Sequence, residues 1–338
     1  MASTQAVEHA KGKRSGMNLD AIFHRARRVL SNPYIHKAQW TVRTRFHEVE
    51  RMILVKQPIV EAGQHLKDAI TKAGPYAAGK MGSVEVSGLT AFLKREKARS
   101  RGASPPGYGR FLSIKMHLNA GIFPKQEAEY DKFGAIFLET IEQCDMLASW
   151  NVAGEAQVLS RYCKSATLVY LSGLHYPFFF SDPWSAALEG KKVLVISPFV
   201  DSIRRQHDRY ETLWDDPRVL PQFELLTVRV PMSAGLVEPV DADWTSALAR
   251  LKDEMSQLDY DVALVGAGAF SLPLVVHAKQ AGRVGIHLGG PLQILFGILG
   301  GRWTWNPDFK QFIKDTWIRP SEEETPKTAG LIEGGCYW

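Results

Sequence analysis

The sequence predicts an α/β protein: a mostly parallel, Rossmann-like sheet with helices on both faces, preceded by a helical N-terminal extension. Three observations carry this expectation. Short apolar runs such as KKVLVIS (191–197) and YDVALVGAG (260–268) are continuous rather than alternating, as in strands covered on both faces. Amphipathic stretches separate them; at 243–258, Trp244, Leu248, Leu251, Met255 and Leu258 fall on one stripe. Strand and helix then alternate as β-α-β-α-β across 191–290, with glycine turns after the strands, the pattern of a parallel sheet.

In chain order, residues 1–16 are small, polar and basic without periodicity, a disordered tail. Residues 17–74 form a basic helical extension, with Leu19, Ile22, Phe23, Val29 and Leu30 on one face. Asn32-Pro33 breaks its first helix and Pro58 interrupts it again. The Rossmann-like domain spans 75–338. It opens with AAGKMGSVEV (77–86), a glycine-punctuated strand leading into a helix with Leu89, Phe92 and Leu93. A loop rich in glycine, serine and proline (99–109) precedes a helix at 125–143, where Phe133, Phe137 and Ile141 recur at steps of four. Strands follow at 145–150, 165–171 and 191–197, a helix at 201–214 and a strand at 223–230. After the helix at 243–258 come a strand at 260–268, a helix at 270–280 and a last strand at 283–290.

Length and composition fit one large core with an appendage: 338 residues, 45% hydrophobic and 23% charged. No apolar run reaches the roughly 20 residues that span a bilayer, and the N-terminus lacks a signal-peptide core. Cys144, Cys163 and Cys336 have no zinc-like spacing and read as reduced thiols, so a cytoplasmic location is expected. Residues 1–72 carry thirteen lysines and arginines against six acids, an excess greater than the +5 of the whole chain. A basic arm of this kind suits peripheral contact through residues 17–72 with the inner membrane face, or dimerisation into a homo-oligomer. A solvated helical arm is an equal reading. No RNA- or DNA-binding signature accompanies the charge, so nucleic acid is not an expected partner.

Ligands of open parallel sheets bind beyond the carboxyl ends of the strands, on helix N-termini. Gly266-Ala267-Gly268-Ala269-Phe270 lies at one such junction, where glycines let a phosphate approach the backbone. Ser271 stands where a dinucleotide fingerprint has its third glycine, and no acid follows about 20 residues on, so a standard NAD site is not expected. A second turn runs from His287 through Gly289 and Gly290 to Gln293. His287 is a candidate for phosphate or base contact as well as a structural histidine, and Gln293 for reading an amide or hydroxyl. Two neighbouring glycine turns together suit a polyphosphate.

A third turn holds Lys80, Gly82, Ser83 and Glu85. Lys80 and Ser83 are candidates for phosphate oxygens, and Glu85 for a divalent metal, Mn or Mg, which favours oxygen ligands. An acid meeting a helix dipole is the equal alternative for Glu85. A fourth turn contains Asp201, better read as a helix cap. Aromatic segments at 175–184 and 301–309 suit packing over the sheet, while Trp303 and Trp305, beside Arg302, are the candidates for stacking on a sugar.

The run DVALVGAGAFSLPLVVHAKQAGRVGIHLGGPLQILFGILGGRW resembles the C-terminal half of bacterial GT-D fold glycosyltransferases, and PWSAALEGKKVLVISPFVDSI resembles their sheet strands. The resemblance covers about residues 75–338 and implies transfer of a sugar from a nucleotide sugar to a glycan or lipid-linked acceptor, as in polysaccharide biosynthesis. In that family a strand-end Asp-x-Glu element binds a divalent metal and the donor diphosphate. The corresponding residues here are Ser83-Val84-Glu85, so a hydroxyl, a weaker ligand for a hard cation, replaces the first acid. Glu85 is then the catalytic and metal-binding residue, and the turns at 266–270 and 287–293 hold the nucleotide diphosphate. A noncatalytic nucleotide- or carbohydrate-binding protein on the same fold is the alternative, and a membrane-associated assembly factor using the basic arm a third reading.

Overall fold

The computed structural model describes residues 33–233, 239–304 and 306–338, with side chains from residue 43 onward. The expected tail, residues 17–32 of the extension, and Trp305 lie outside the described residues. The chain divides into two compact units, Met1–Phe46 and His47–Trp338. Helix α1 (Pro33–Val55) runs across the division. Pro33 opens this helix, since a first-turn proline forfeits no intrahelical hydrogen bond.

Pro58 breaks the chain before helix α2 (Ala62–Lys72). Leu66 and Ile70, one turn apart, are fully buried among Val169, Leu174 and Trp184. Val60 also adds a parallel bridge to Val169. The sheet-containing unit therefore begins at His47 rather than at residue 75, because α2 supplies part of its core. A helix with a one-sided apolar stripe looks the same in a sequence whether it extends or covers a sheet.

The sheet has seven strands: β1 (Tyr76–Lys80), β2 (Met146–Ser149), β3 (Thr167–Tyr170), β4 (Lys192–Ser197), β5 (Glu224–Arg229), β6 (Val262–Val265) and β7 (Val284–His287). Their order is β3-β2-β1-β7-β6-β4-β5, and every pairing is parallel, as the continuous apolar runs imply. Central β1 sets Ala78 against Met146 on one side and Ile286 on the other.

Successive side chains point to opposite faces. On one face Leu194, Ile196, Ala263 and Val265 meet helices α3 (Ser83–Arg99), α5 (Glu127–Glu142), α9 (Trp244–Ser256) and α10 (Ser271–Gln280) through residues such as Phe92, Phe133, Trp244 and Val275; α4 (Arg110–Leu118) and α6 (Glu155–Tyr162) complete that layer. On the other face Val193, Val195, Val262 and Leu264 meet α2, α7 (Leu171–His175), α8 (Val200–His207) and the segment after β7. That segment carries α11 (Pro291–Leu295), α12 (Gly301–Thr304) and α13 (Pro307–Lys310).

The order also positions the site. From β4 the chain moves outward to β5, and from β6 inward to β7, so adjacent β4 and β6 send their connections in opposite directions. Such a reversal opens a crevice beyond the carboxyl ends. The segment after β7 returns across this edge and is tied down by Glu324. Its fully buried carboxylate accepts from the Asp201 N–H at 2.8 Å, the Ser202 N–H and the Ser202 hydroxyl, occupying the N-terminus of α8.

Candidate functional site

A cavity of about 580 Å³ lies at the carboxyl ends of β1, β4, β6 and β7. Its wall contains Lys80, Gly82, Ser83 and Glu85 after β1, Gly266, Gly268 and Phe270 after β6, and His287, Gly289, Gly290 and Gln293 after β7. Arg302 joins them from α12. Turns more than 180 residues apart in sequence thus share one space because β1 and β7 are neighbours in the sheet.

Two glycines carry the backbone that a side chain would forbid. Gly268 has φ +54°, and a Cβ there would sit 3.0 Å from the Ala120 carbonyl oxygen; Gly289 has φ +61°. Gly289 also brings the turn close to two site residues. A Cβ on it would lie 3.4 Å from His287 Cε1 and 3.7 Å from Lys80 Cε. On the next residue, Gly290, it would lie 3.3 Å from Arg302 Nη1 and 2.9 Å from the Tyr337 ring.

Lys80 is half-buried, its ammonium 4.9 Å from the centre of the Trp150 ring. Among the described residues no carboxylate lies within ion-pair distance of it. Burial pulls its pKa down; Glu85 opposes this and Arg302 reinforces it. Arg302 donates to the Glu333 carboxylate and, at 3.3 Å, to Cys336 Sγ, with its guanidinium 5.0 Å from the centre of the Tyr337 ring. Burial works against its charge, and Tyr337, Cys336 and Glu333 hold it protonated.

Two neutral histidines stand beside these cations. His287 is pushed down to about 3, first by burial and then by Lys80. Its Nδ1–H donates to the Val265 carbonyl at 3.3 Å, which leaves Nε2 as an acceptor. His175 is lowered by burial, Lys80, His287 and Arg302, and its buried Nε2 has no hydrogen-bond partner among the described residues. Gln293 gives its amide N–H to the Tyr337 carbonyl at 2.9 Å, and its buried Oε1 is likewise without a partner. Buried polar atoms are ordinarily satisfied, so His175 Nε2 and Gln293 Oε1, both on the cavity wall, are suited to a ligand's hydroxyl or N–H groups.

Glu85 occupies the third position of α3, and its carboxylate folds back over Gly82, where a Cβ would collide with it. It meets its own helix start and faces the cavity at once. The other acid among the wall's described residues, Glu333, is engaged by Arg302. Among the described residues no three His, Cys, Asp or Glu side chains converge to hold a metal. With Ser83 in the first acid's place and two cations in the same cavity, the residues present do not fit a resident divalent ion.

Two sequence-predicted contacts fall elsewhere. Trp303 is 1% exposed and packs in an aromatic cluster, 5.1 Å from Phe309 and 6.2 Å from Tyr176 between ring centres, so it is core rather than a sugar platform. Ala269 is buried behind the turn, its N–H bonded to the Ala120 carbonyl at 3.1 Å. Asp201 is no cap by its side chain; it pairs with Arg229 and Arg204. His175, Trp150, Glu333 and Tyr337 carry no local motif and become visible only once α7, β2 and the last residues of the chain meet at the sheet edge.

No protein-family model matches this chain, and neither the curated proteins nor the solved structures contain a match to it. Among the described residues no helix is long and apolar enough to cross a membrane.

Proposed function

We propose that the chain is a glycosyltransferase that takes a sugar from a nucleotide-sugar donor and passes it to a glycan or lipid-linked acceptor. One observation carries this reading: a single cavity joins the glycine turns of β1, β6 and β7 to two cations and, among the described residues, one carboxylate outside any ion pair. The turns receive the diphosphate, Lys80 and Arg302 balance its charge, and the unpartnered Nε2 of His175 and Oε1 of Gln293 read hydroxyl or amide groups. In the transfer, the bond from the anomeric carbon to the diphosphate oxygen breaks and its electron pair leaves on that oxygen. The acceptor hydroxyl oxygen bonds to the anomeric carbon and gives its proton to Glu85. Stabilising the departing diphosphate is the main catalytic contribution.

The acceptor approaches from the open side of the crevice. With Leu66 and Ile70 buried in the sheet unit, peripheral membrane contact falls to the part of the basic arm before α2. The second reading, a noncatalytic nucleotide- or carbohydrate-binding protein, is favoured by Ser83 standing where the resemblance has an acid.

A panel of nucleotide sugars, assayed for binding and for release of the nucleoside diphosphate, separates the two. Glu85→Gln should keep donor affinity within a few-fold and lose turnover by two orders of magnitude or more, the usual scale of acid–base catalysis. Binding by the parent chain without any turnover would favour the second reading, and unchanged turnover by the variant would remove Glu85 from the reaction.

A further inference from the structure

We infer that this chain neutralises the donor diphosphate with two side-chain cations, Lys80 and Arg302, and requires no divalent metal to do so. The inference rests on the nucleotide-sugar reading above and names what replaces the metal that the resemblance implies.

The first argument is the donor set. A metal at a phosphate site takes oxygen ligands from carboxylates, substrate and water. Among the described residues this wall offers one carboxylate that no cation engages, Glu85, and that group is folded back over Gly82 at its own helix start. Position 83, next to it, presents a hydroxyl. A divalent ion would also share the cavity with Lys80 and Arg302, whose positive charges oppose its entry most strongly where water is excluded.

The second argument is charge left without a counter-ion. Lys80 has no carboxylate within ion-pair distance among the described residues; burial works against its charge, and the more distant Glu85 offsets this only in part. An unpaired ammonium in a partly dehydrated cavity is costly unless a ligand completes it. Consecutive glycines of one turn place the two cations: Gly289 faces Lys80 Cε and Gly290 faces Arg302 Nη1. A ligand with two linked phosphoryl groups lying along that turn would use both cations. His175 and His287 are held neutral in the ligand-free cavity, so Lys80 and Arg302 are the cations among its described residues.

Glu333 has a defined part in this arrangement. It holds the Arg302 guanidinium in the absence of a ligand, and the incoming phosphate competes with it. Removing that carboxylate should therefore strengthen anion binding, by freeing Arg302 and by taking a negative charge from the wall.

The test is calorimetric titration of the full chain with inorganic pyrophosphate and with UDP, GDP and ADP, in excess EDTA and in magnesium or manganese. Pyrophosphate and at least one nucleoside diphosphate should bind in EDTA within about threefold of their affinity with metal. Lys80→Met and Arg302→Met should each lose roughly 10- to 100-fold, the scale of a charge-assisted hydrogen bond, and Lys80→Arg should recover most of the loss. Glu333→Gln should bind pyrophosphate several-fold more tightly. Circular dichroism of each variant guards against misfolding, and Lys80→Met with its rescue by Lys80→Arg supplies an answer even if Arg302→Met does not fold. Binding seen only with magnesium or manganese, or unchanged in Lys80→Met, overturns the inference and leaves the donor reading standing. Pyrophosphate binding in EDTA that needs Lys80, with no nucleoside diphosphate bound, upholds the two-cation site and overturns the donor reading. Absence of any binding overturns both.

Discussion

Lys80 and Trp150 form a cation–π pair across the first two strands, the ammonium 4.9 Å from the ring centre while the indole N–H donates to the Met81 carbonyl at 2.7 Å. Because β1 and β2 are adjacent, the residue after β2 reaches the end of β1 and aims its lysine into the cavity. The ring stabilises a charge that has no carboxylate within ion-pair distance among the described residues.

Trp150→Leu should therefore weaken pyrophosphate binding. A cation–π contact contributes about 0.5–2 kcal/mol, which corresponds to roughly 2- to 30-fold in affinity. Trp150→Tyr, which keeps an aromatic face, should lose less. Equal affinities for the Leu and Tyr variants would sink the role assigned to the ring.

Acid should destabilise the protein through its buried histidines. His287 has its pKa depressed to about 3, against 6.5 in the unfolded chain, so between those values the unfolded state binds a proton that the native state does not. Stability then falls as the pH drops from 6.5 towards 3 and is unaffected by this group above 6.5. The linkage amounts to about 2 kcal/mol at pH 5. His175 acts in the same direction. Urea unfolding at pH 7 and pH 5 measures the drop, and His287→Gln should reduce it; an undiminished drop in that variant would mean His287 is not the group responsible.

Glu324 ties the C-terminal segment to the sheet edge by accepting from the Asp201 and Ser202 N–H groups and the Ser202 hydroxyl. Glu324→Ala should cost about 1–3 kcal/mol of stability, since buried donors lose their acceptor. It should also weaken pyrophosphate binding, because Tyr337, which packs on the Arg302 guanidinium in the cavity wall, belongs to the same segment. A stability loss with binding unchanged would show that the segment holds its place without this anchor.

Gly285 in β7 allows α10 to lie against the sheet. A Cβ there would stand 2.5 Å from the Val275 carbonyl oxygen, a backbone atom that cannot turn aside. Gly285→Ala should destabilise by about 1–3 kcal/mol or more through overpacking. At Gly282, where φ is +79° and no atom lies within 4 Å, alanine should cost only about 1–2 kcal/mol, for the backbone conformation alone. Melting curves of the two variants should rank in that order.

Much of the fold is legible because its signals are local. Strands buried on both faces show as unbroken apolar runs, so β4, β6 and β7 can be found from 191–197, 260–268 and 283–290 to within a few residues. The glycine turns after them are legible for the same reason, as are Lys80 and Glu85 at the start of a helix. Trp303 misleads because a tryptophan beside an arginine has the same spelling in a binding loop as in a core, and burial alone separates them.

The sequence by itself determined the class of the fold, its longer helices and buried strands, and the glycine turns that follow those strands. The tertiary structure alone decided that those residues share one cavity, because strand order joins β1 to β7 across a separation that no periodicity records. It also decided which charges remain unpaired: Arg302 finds Glu333 only when the last residues fold back, and Lys80 meets a ring instead of a carboxylate. Electrostatic pairing depends on distances across space, and those are set by the packing of the whole chain.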